Sequence, residues 1–242
     1  MPSTSTLIPY EISGYELTLR VGDDAFKPTR TTQKLANAAD LPSGMSVLDL
    51  GCGVAPLAIC AALKGAAPVY ALDVMATACE YARENVERAG VADKVTVLCG
   101  DLFEPVEGVK FDIIINDVSG IADRVARLSP WYPEPIPTGG ADGANVVLRV
   151  LSEAPEHLNP GGCLYFATST LSDVDRIVNH ARSIYGNRLE RLASVRFPFS
   201  PELIEAIDEL EVLRDEGVIS FESRRSRHIW TLDLFRASVD WV

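Results

Sequence analysis

The sequence predicts a doubly wound α/β domain, with a mainly parallel seven-stranded sheet, helices on both of its faces and an antiparallel edge strand. Three observations carry the prediction. Strand-like apolar runs alternate with helix-like segments over most of the 242 residues, the pattern of a parallel sheet covered on both sides. The run Phe111–Ile115 is apolar on both faces, as central parallel strands are. A glycine turn, Asp49-Leu50-Gly51-Cys52-Gly53, joins a strand to a helix, where the backbone can come close to a ligand.

Residues 1–40 read as an extension packing on the core, and 41–242 as the main domain. Glu11 to Val21 alternates around Gly14 and predicts a hairpin; Thr32 to Ala39 is helix-like. From Met45 onward, Val47–Leu50 is a short buried strand and Pro56–Leu63 is the helix after the glycine turn. Val69–Leu72 and Val95–Leu98 are strands on either side of a helix over Ala76–Ala89, and Phe111–Ile115 is the fourth strand. A proline- and glycine-rich loop then runs from Ser119 to about Gly143, longer than a bare connection needs. A helix over Ala144–His157 leads through Pro160-Gly161-Gly162 to a fifth strand, Leu164–Ala167. A helix near Ser172–Tyr185, a strand over Leu189–Phe197 and an acidic amphipathic helix over Pro201–Glu216 follow. Val218–Glu222 and His228–Phe235 are strands able to form the antiparallel edge.

Charge narrows the function. Lysines and arginines number 22 against 34 aspartates and glutamates, a net charge of −12, which opposes broad binding to nucleic-acid phosphates or anionic membranes. No apolar run reaches the length of a membrane span. The first residues, MPSTSTLIPYEIS, lack a basic region followed by an apolar stretch. The five cysteines show no CxxC pair and sit mostly in apolar runs. A reducing cytoplasm is the expected location. His157 and His180 gather no third histidine or cysteine, so no metal site is expected.

The glycine turn alone is a weak signal, and its neighbours sharpen it. A dinucleotide fingerprint wants a glycine at position 56, where this sequence has Pro56, which donates no backbone hydrogen bond. A dehydrogenase is therefore disfavoured. Asp49 precedes the glycines, and a carboxylate there repels a pyrophosphate and attracts a cation. S-Adenosylmethionine carries an ammonium and a sulfonium and no phosphate, so electrostatics turns the nucleotide reading towards this cofactor. Asp73 ends the second strand about 20 residues past the turn, the place of an acid that accepts both ribose hydroxyls. Asp101, after the third strand, is placed for the adenine amino group. Each acid alone could be a turn or cap residue. Three of them at the carboxyl ends of three successive strands mark the ligand edge of an open α/β sheet. With Gly51, Gly53 and the adjoining Val74 and Leu102, they form the expected cofactor-binding set.

The stretch VLDLGCGVAPLAI resembles the glycine-rich first motif of Rossmann-like S-adenosylmethionine-dependent methyltransferases. ALDVMATACEYARENVERAGV resembles their second, with Asp73 at the ribose position and Asn85 at a familiar place in the helix. More narrowly, the sequence is similar to the small-domain methyltransferases that include the release-factor glutamine methyltransferase group. Phe26-Lys27-Pro28 with Thr32 matches the segment before that group's core, and Phe111-Asp112-Ile113-Ile114-Ile115-Asn116 its fourth strand. Gly139-Gly140-Ala141-Asp142-Gly143-Ala144, Ala154-Pro155 and Pro160-Gly161-Gly162 match the group's stretch downstream of that strand. The resemblance implies cofactor contacts for Phe26, Pro28, Thr32 and Asn116. It also gives Asn116 the role of holding the acceptor nitrogen through its side-chain carbonyl. There is one departure. The group's Asn-Pro-Pro-Tyr is here Asn116-Asp117-Val118-Ser119, without the prolines that shape the backbone or the aromatic ring that packs on the substrate amide.

Asn116 and Asp117 are the expected catalytic residues, Asn116 as orienter and Asp117 as base or amine-binding group. Trp131 and Tyr132, on the long loop, are the expected substrate wall. Arg225, within the basic run Arg224-Arg225-Ser226-Arg227-His228, is the expected contact for an acidic substrate group, against the simpler reading of a solvated turn. The expected acceptor is a nitrogen of a small molecule. A protein glutamine or other protein side chain is the second reading, and RNA the third because of the acidity. A cofactor-binding but catalytically silent partner protein is the alternative of another class.

Overall fold

A computed structural model describes residues 5–240 apart from 133, 135 and 226. Pro133 and Pro135 of the long loop and Ser226 of the basic run thus lie outside the described residues. The described part opens with an antiparallel hairpin, β1 (Ser5–Ile12) and β2 (Tyr15–Gly22). Its two-residue turn has Ser13 and Gly14 at φ 49° and 83°, the left-handed geometry that matches hairpin twist. Helix α1 (Arg30–Ala38) begins in a reciprocal capping box between Thr29 and Thr32.

The core then alternates as predicted: β3 (Val47–Leu50), α2 (Pro56–Leu63), β4 (Val69–Asp73), α3 (Ala76–Arg88), β5 (Val95–Cys99) and β6 (Phe111–Asn116). After these come α4 (Asp123–Leu128), α5 (Asn145–Glu153), β7 (Leu158–Ser169), α6 (Val174–Tyr185) and β8 (Leu189–Pro198). The last elements are α7 (Pro201–Glu205), α8 (Ile207–Asp215), β9 (Glu222–Arg224) and β10 (Arg227–Ser238). The sheet runs β5-β4-β3-β6-β7-β10-β8, with β9 paired to β10. Strands β3 to β7 are parallel, and β10 is antiparallel to both β7 and β8.

Alternate side chains serve two cores. Val47, Ile113, Ile115, Leu232 and Leu234 pack with α1, α2 and the hairpin. Leu48, Leu50, Ile114, Leu164 and Phe166 pack with residues of α5 and α6 on the opposite face. This is the doubly wound arrangement. The hairpin is tied to it by Asn85 of α3. The Asn85 Oδ1 accepts the Arg20 N–H at 2.6 Å, and its Nδ2 donates to the Arg20 and Val54 carbonyls at 3.0 and 3.1 Å.

Five expectations need correction. Among the described residues the sheet has eight strands rather than seven. Its antiparallel strand lies inside the sheet, not at the edge, because β10 buries side chains on both faces: Trp230, Leu232 and Leu234 on one, Phe235 and Ala237 on the other. The half-exposed β8 takes the edge instead. The loop from 119 to 143 is not bare, since α4 sits within it. The acidic helix is broken at Ala206, whose φ of −96° and ψ of 20° leave helical geometry, and the strand expected over Val218–Glu222 lies instead at Glu222–Arg224. No helix among the described residues is long and apolar enough to cross a membrane.

Candidate active site

The carboxyl ends of β3, β4, β6 and β7 meet at one edge, and a cavity of about 1170 Å³ opens there. Its inner wall is the glycine turn. Gly51 and Gly53 have φ of 77° and 54°. A Cβ on Gly51 would lie 2.9 Å from the Val118 Cα, so glycine is required both by the backbone and by the close passage of the β6 connection. The last turn residue, Ala55, is also left-handed, at φ 67°, which lets α2 start directly behind.

Asp73 Oδ2 accepts the Gly53 N–H at 2.8 Å, and its Oδ1 accepts the Met75 N–H at 2.9 Å. Burial raises this carboxyl above the usual carboxylate range and the backbone amides oppose the rise. Each carboxylate oxygen has a second lone pair, so Asp73 keeps acceptor capacity towards the cavity that it lines. Asp101 also lines the cavity, but its carboxylate meets Arg149 of α5 at 3.0 Å in a surface ion pair.

Asp117 follows β6. Its backbone N–H donates to the Leu50 carbonyl at 3.0 Å, and its Oδ2 accepts the Thr32 hydroxyl at 2.7 Å. Burial pushes its carboxyl up to about 7, against the lowering effect of the Thr32 hydrogen bond. Asn116 is buried, and its Oδ1 accepts the Val118 N–H at 3.4 Å.

The far wall is aromatic. Tyr132 packs on Phe26 with ring centroids 4.9 Å apart, and Trp131 on Trp230 at 6.1 Å. The loop bearing Trp131 and Tyr132 is pinned by Arg127, which donates to the Tyr132 and Ile136 carbonyls at 3.4 and 3.2 Å.

The structure therefore gathers Phe26, Pro28, Thr32, Gly51, Gly53, Asp73, Val74, Asp101, Leu102, Asn116, Asp117, Trp131 and Tyr132 around one space. It sets two predicted residues apart. Asp49 lies fully buried outside that wall, holding the start of α2 through the Ala58 N–H at 2.9 Å. Arg225 is exposed in the turn between β9 and β10, where a basic run remains solvated. Sequence reading missed Arg149, Phe197 and Trp230, which also line the cavity.

The donor set fits a cationic ligand. Burial raises Asp49 well above its ordinary range, and the carboxylates of Asp117 and Asp73 add to the rise. Asp73 and Asp117 line the cavity itself, and carboxylates there oppose a pyrophosphate and favour an ammonium or sulfonium.

Solved structures share this architecture. A T. thermophilus 16S rRNA methyltransferase in complex with AdoMet and guanosine superposes with a TM-score of 0.67 at 19% identity, covering 98% of this chain and 51% of that one. The ribosomal protein L11 methylase of Lactobacillus delbrueckii subsp. bulgaricus superposes with a TM-score of 0.56, also at 19% identity, covering 88% and 80%. In sequence, the family model for ribosomal protein L11 methyltransferase (PrmA) matches residues 27–142. In fold and in sequence the chain is similar to Rossmann-like S-adenosylmethionine-dependent methyltransferases. It is 42% identical over 123 residues to the ribosomal protein uL3 glutamine methyltransferase of Bradyrhizobium diazoefficiens, a match covering 49% of this chain and 39% of that protein. It is 35% identical over 129 residues to the release factor glutamine methyltransferase of Gloeobacter violaceus, covering 50% and 45%. The chain thus matches less than half the length of these two relatives. Both are named for protein acceptors, and this overturns the expected small-molecule acceptor. A carboxylate at Asp117 asks only for a proton-bearing group, and that chemistry does not distinguish a free amine from a side chain.

Proposed function

We propose that this chain transfers a methyl group from S-adenosylmethionine to a side-chain nitrogen of a protein. One observation carries the reading. A single cavity joins the glycine turn and Asp73 to Asn116, Asp117 and an aromatic wall, so a cofactor and an acceptor can meet inside it. The relatives named for glutamine acceptors in proteins support the choice of acceptor.

Bound S-adenosylmethionine supplies a methyl group on a sulfonium. Gly51 and Gly53 would let it approach the backbone, Asp73 would accept the ribose hydroxyls, and Val74, Asp101 and Leu102 would hold the base. Phe26, Pro28 and Thr32 close the cavity from the segment before the core. Asn116 orients the acceptor nitrogen through its side-chain carbonyl. Asp117 takes the proton that the nitrogen gives up, directly or through water. Its carboxyl near 7 makes it a base at neutral pH. Positioning supplies much of the remaining rate.

The test is transfer of labelled methyl from the cofactor to purified ribosomal protein uL3, ribosomal protein L11 and a peptide release factor. Label on a side-chain nitrogen of one of them is the expected result. Tight cofactor binding without label in any protein would instead favour a catalytically silent partner.

A further inference from the structure

The hydroxyl of Thr32 has two acceptors for its single proton. Thr32 is 3% exposed, so its hydrogen bonds must be made within the protein. Its oxygen accepts the Thr29 N–H at 3.4 Å, and its proton goes to Asp117 Oδ2 at 2.7 Å. The half-buried Tyr10 of β1 brings a second hydroxyl within hydrogen-bonding reach of Thr32. Tyr10 donates its own proton to the Thr29 carbonyl at 2.9 Å, and its oxygen retains lone pairs able to accept. Burial raises the Tyr10 hydroxyl above its ordinary range and the Asp117 carboxylate adds to the rise, so Tyr10 keeps its proton while Asp117 titrates.

A hydroxyl donates once, so the charge on Asp117 decides where the Thr32 proton points. A carboxylate is the stronger acceptor and takes it. A protonated carboxyl is a poorer acceptor and can itself donate. The Thr32 proton is then able to turn to the Tyr10 oxygen, and the buried hydroxyl stays paired in both charge states. Without Tyr10 the protonated state would offer it only the weakened contact to Asp117, and poorly paired buried donors are costly.

Resting on the reading of Asp117 as the base, we propose that Tyr10 is a positioning residue of the reaction, whose hydroxyl accepts the Thr32 proton once Asp117 has received the proton of the acceptor nitrogen. The balance is simple. As the nitrogen gains the methyl group it loses its proton to Asp117. Thr32 turns from Asp117 to Tyr10, and Tyr10 keeps its proton on the Thr29 carbonyl. The hairpin thereby acts on the chemistry through Thr32 without touching substrate or cofactor. The other titratable groups beside Asp117 are Asp49 on β3 and Tyr132 on the long loop, and burial favours the protonated form of each. Lys27 and Arg30 line the same cavity but are exposed, where water and salt screen them.

Tyr10→Phe keeps the ring and removes the second acceptor. The Thr29 carbonyl loses its donor in both charge states, so that loss cancels. Only the protonated form of Asp117 loses a partner, and its titration midpoint should fall by about half a pH unit, an about three-fold change fitting one neutral hydrogen bond. The midpoint is read by NMR in protein carrying 13C-carboxyl aspartate, from the signal that is missing in Asp117→Asn. This needs no turnover, so it tests Tyr10 whether or not any of the three proteins is methylated. Thr32→Val should raise the midpoint, and adding Tyr10→Phe to it should change nothing further. A Tyr10 that only steadied the cap of α1 would, when lost, loosen Thr32 and raise the midpoint as well, so a rise or an unchanged midpoint in Tyr10→Phe overturns the proposal. A second measurement leaves Tyr10 in place. In protein labelled with 13Cζ-tyrosine, one signal other than that of Tyr132, which Tyr132→Phe identifies, should shift with the midpoint of Asp117 and hold still in Asp117→Asn. Tyrosine signals that all stay in place while Asp117 titrates overturn it.

Discussion

The Thr32 hydroxyl oxygen accepts the Thr29 backbone N–H at 3.4 Å and donates its own proton to Asp117 Oδ2 at 2.7 Å. The cap of α1 is thereby joined to the acceptor side of the cavity. The Thr32 bond favours the charged form of Asp117 and burial opposes it, leaving the carboxyl at about 7. A base must be deprotonated, so kcat/KM should rise with pH up to about 7 and level off above it. Thr32→Val removes the bond that favours the carboxylate, so the inflection should move to higher pH. Asp117→Asn should abolish the inflection and lower turnover about 10²–10⁴-fold, the range for a general base. A profile for Thr32→Val that overlays the parent would remove Asp117 from the chemistry.

Asp73→Ala should weaken binding of the demethylated cofactor by about 1–3 kcal/mol, the range for losing hydrogen bonds to a charged group. The Asp73 carboxylate also holds the Gly53 N–H at 2.8 Å. Asp73→Asn, which retains one acceptor oxygen, should therefore lose less. Calorimetry on both variants checks the ranking, and an alanine variant that binds as tightly as the parent would contradict it.

Gly51→Ala forces a side chain onto a backbone at φ 77° and drives its Cβ to 2.9 Å from the Val118 Cα. Strain of this kind costs about 1–3 kcal/mol. Urea denaturation should show the stability loss, and cofactor binding should fall with it because the turn must shift. A variant of unchanged stability and affinity would mean that the Val118 segment yields freely.

Trp131→Ala removes the loop's contact with Trp230. The kcat/KM on a protein acceptor should fall about two- to twelve-fold, matching the 0.5–1.5 kcal/mol of an aromatic pair. Cofactor affinity should stay constant, because Trp131 packs on Trp230 in the aromatic wall rather than in the glycine turn. Equal kcat/KM in variant and parent would reduce Trp131 to packing.

The elements between Val47 and Asn116 were legible almost residue by residue. Each strand there is a short apolar run followed by a turn residue with a defined backbone need, as at Gly51. Asp73 was legible because it ends a strand at a fixed distance from that turn. Asp49 was legible only in part: its position before the glycines shows in the sequence, but that its carboxylate takes the Ala58 N–H outside the cavity lining depends on packing. Trp230 and Phe197 carried no local signal. They reach the cavity only because β10 enters the sheet between β7 and β8, a pairing between segments far apart in the chain. Arg225 shows the reverse: charge density suggested a contact, and the β9–β10 turn leaves it in solvent.

The insertion of β10 also bears on how the polypeptide acquires its shape during synthesis. Strand β8 emerges from the ribosome about thirty residues before β10, at roughly 5–20 residues per second. Within the sheet its only neighbour among the described residues is β10. For that interval β8 and the open side of β7 are unsatisfied edges, the kind of surface that recruits other chains. The acidic stretch Pro201–Glu216 lies between them in the sequence. It follows β8 out of the ribosome, and its negative charges repel other copies while the edges stand open. Neutralising those acids should therefore lower the soluble yield of newly made protein more than it lowers the stability of molecules already folded.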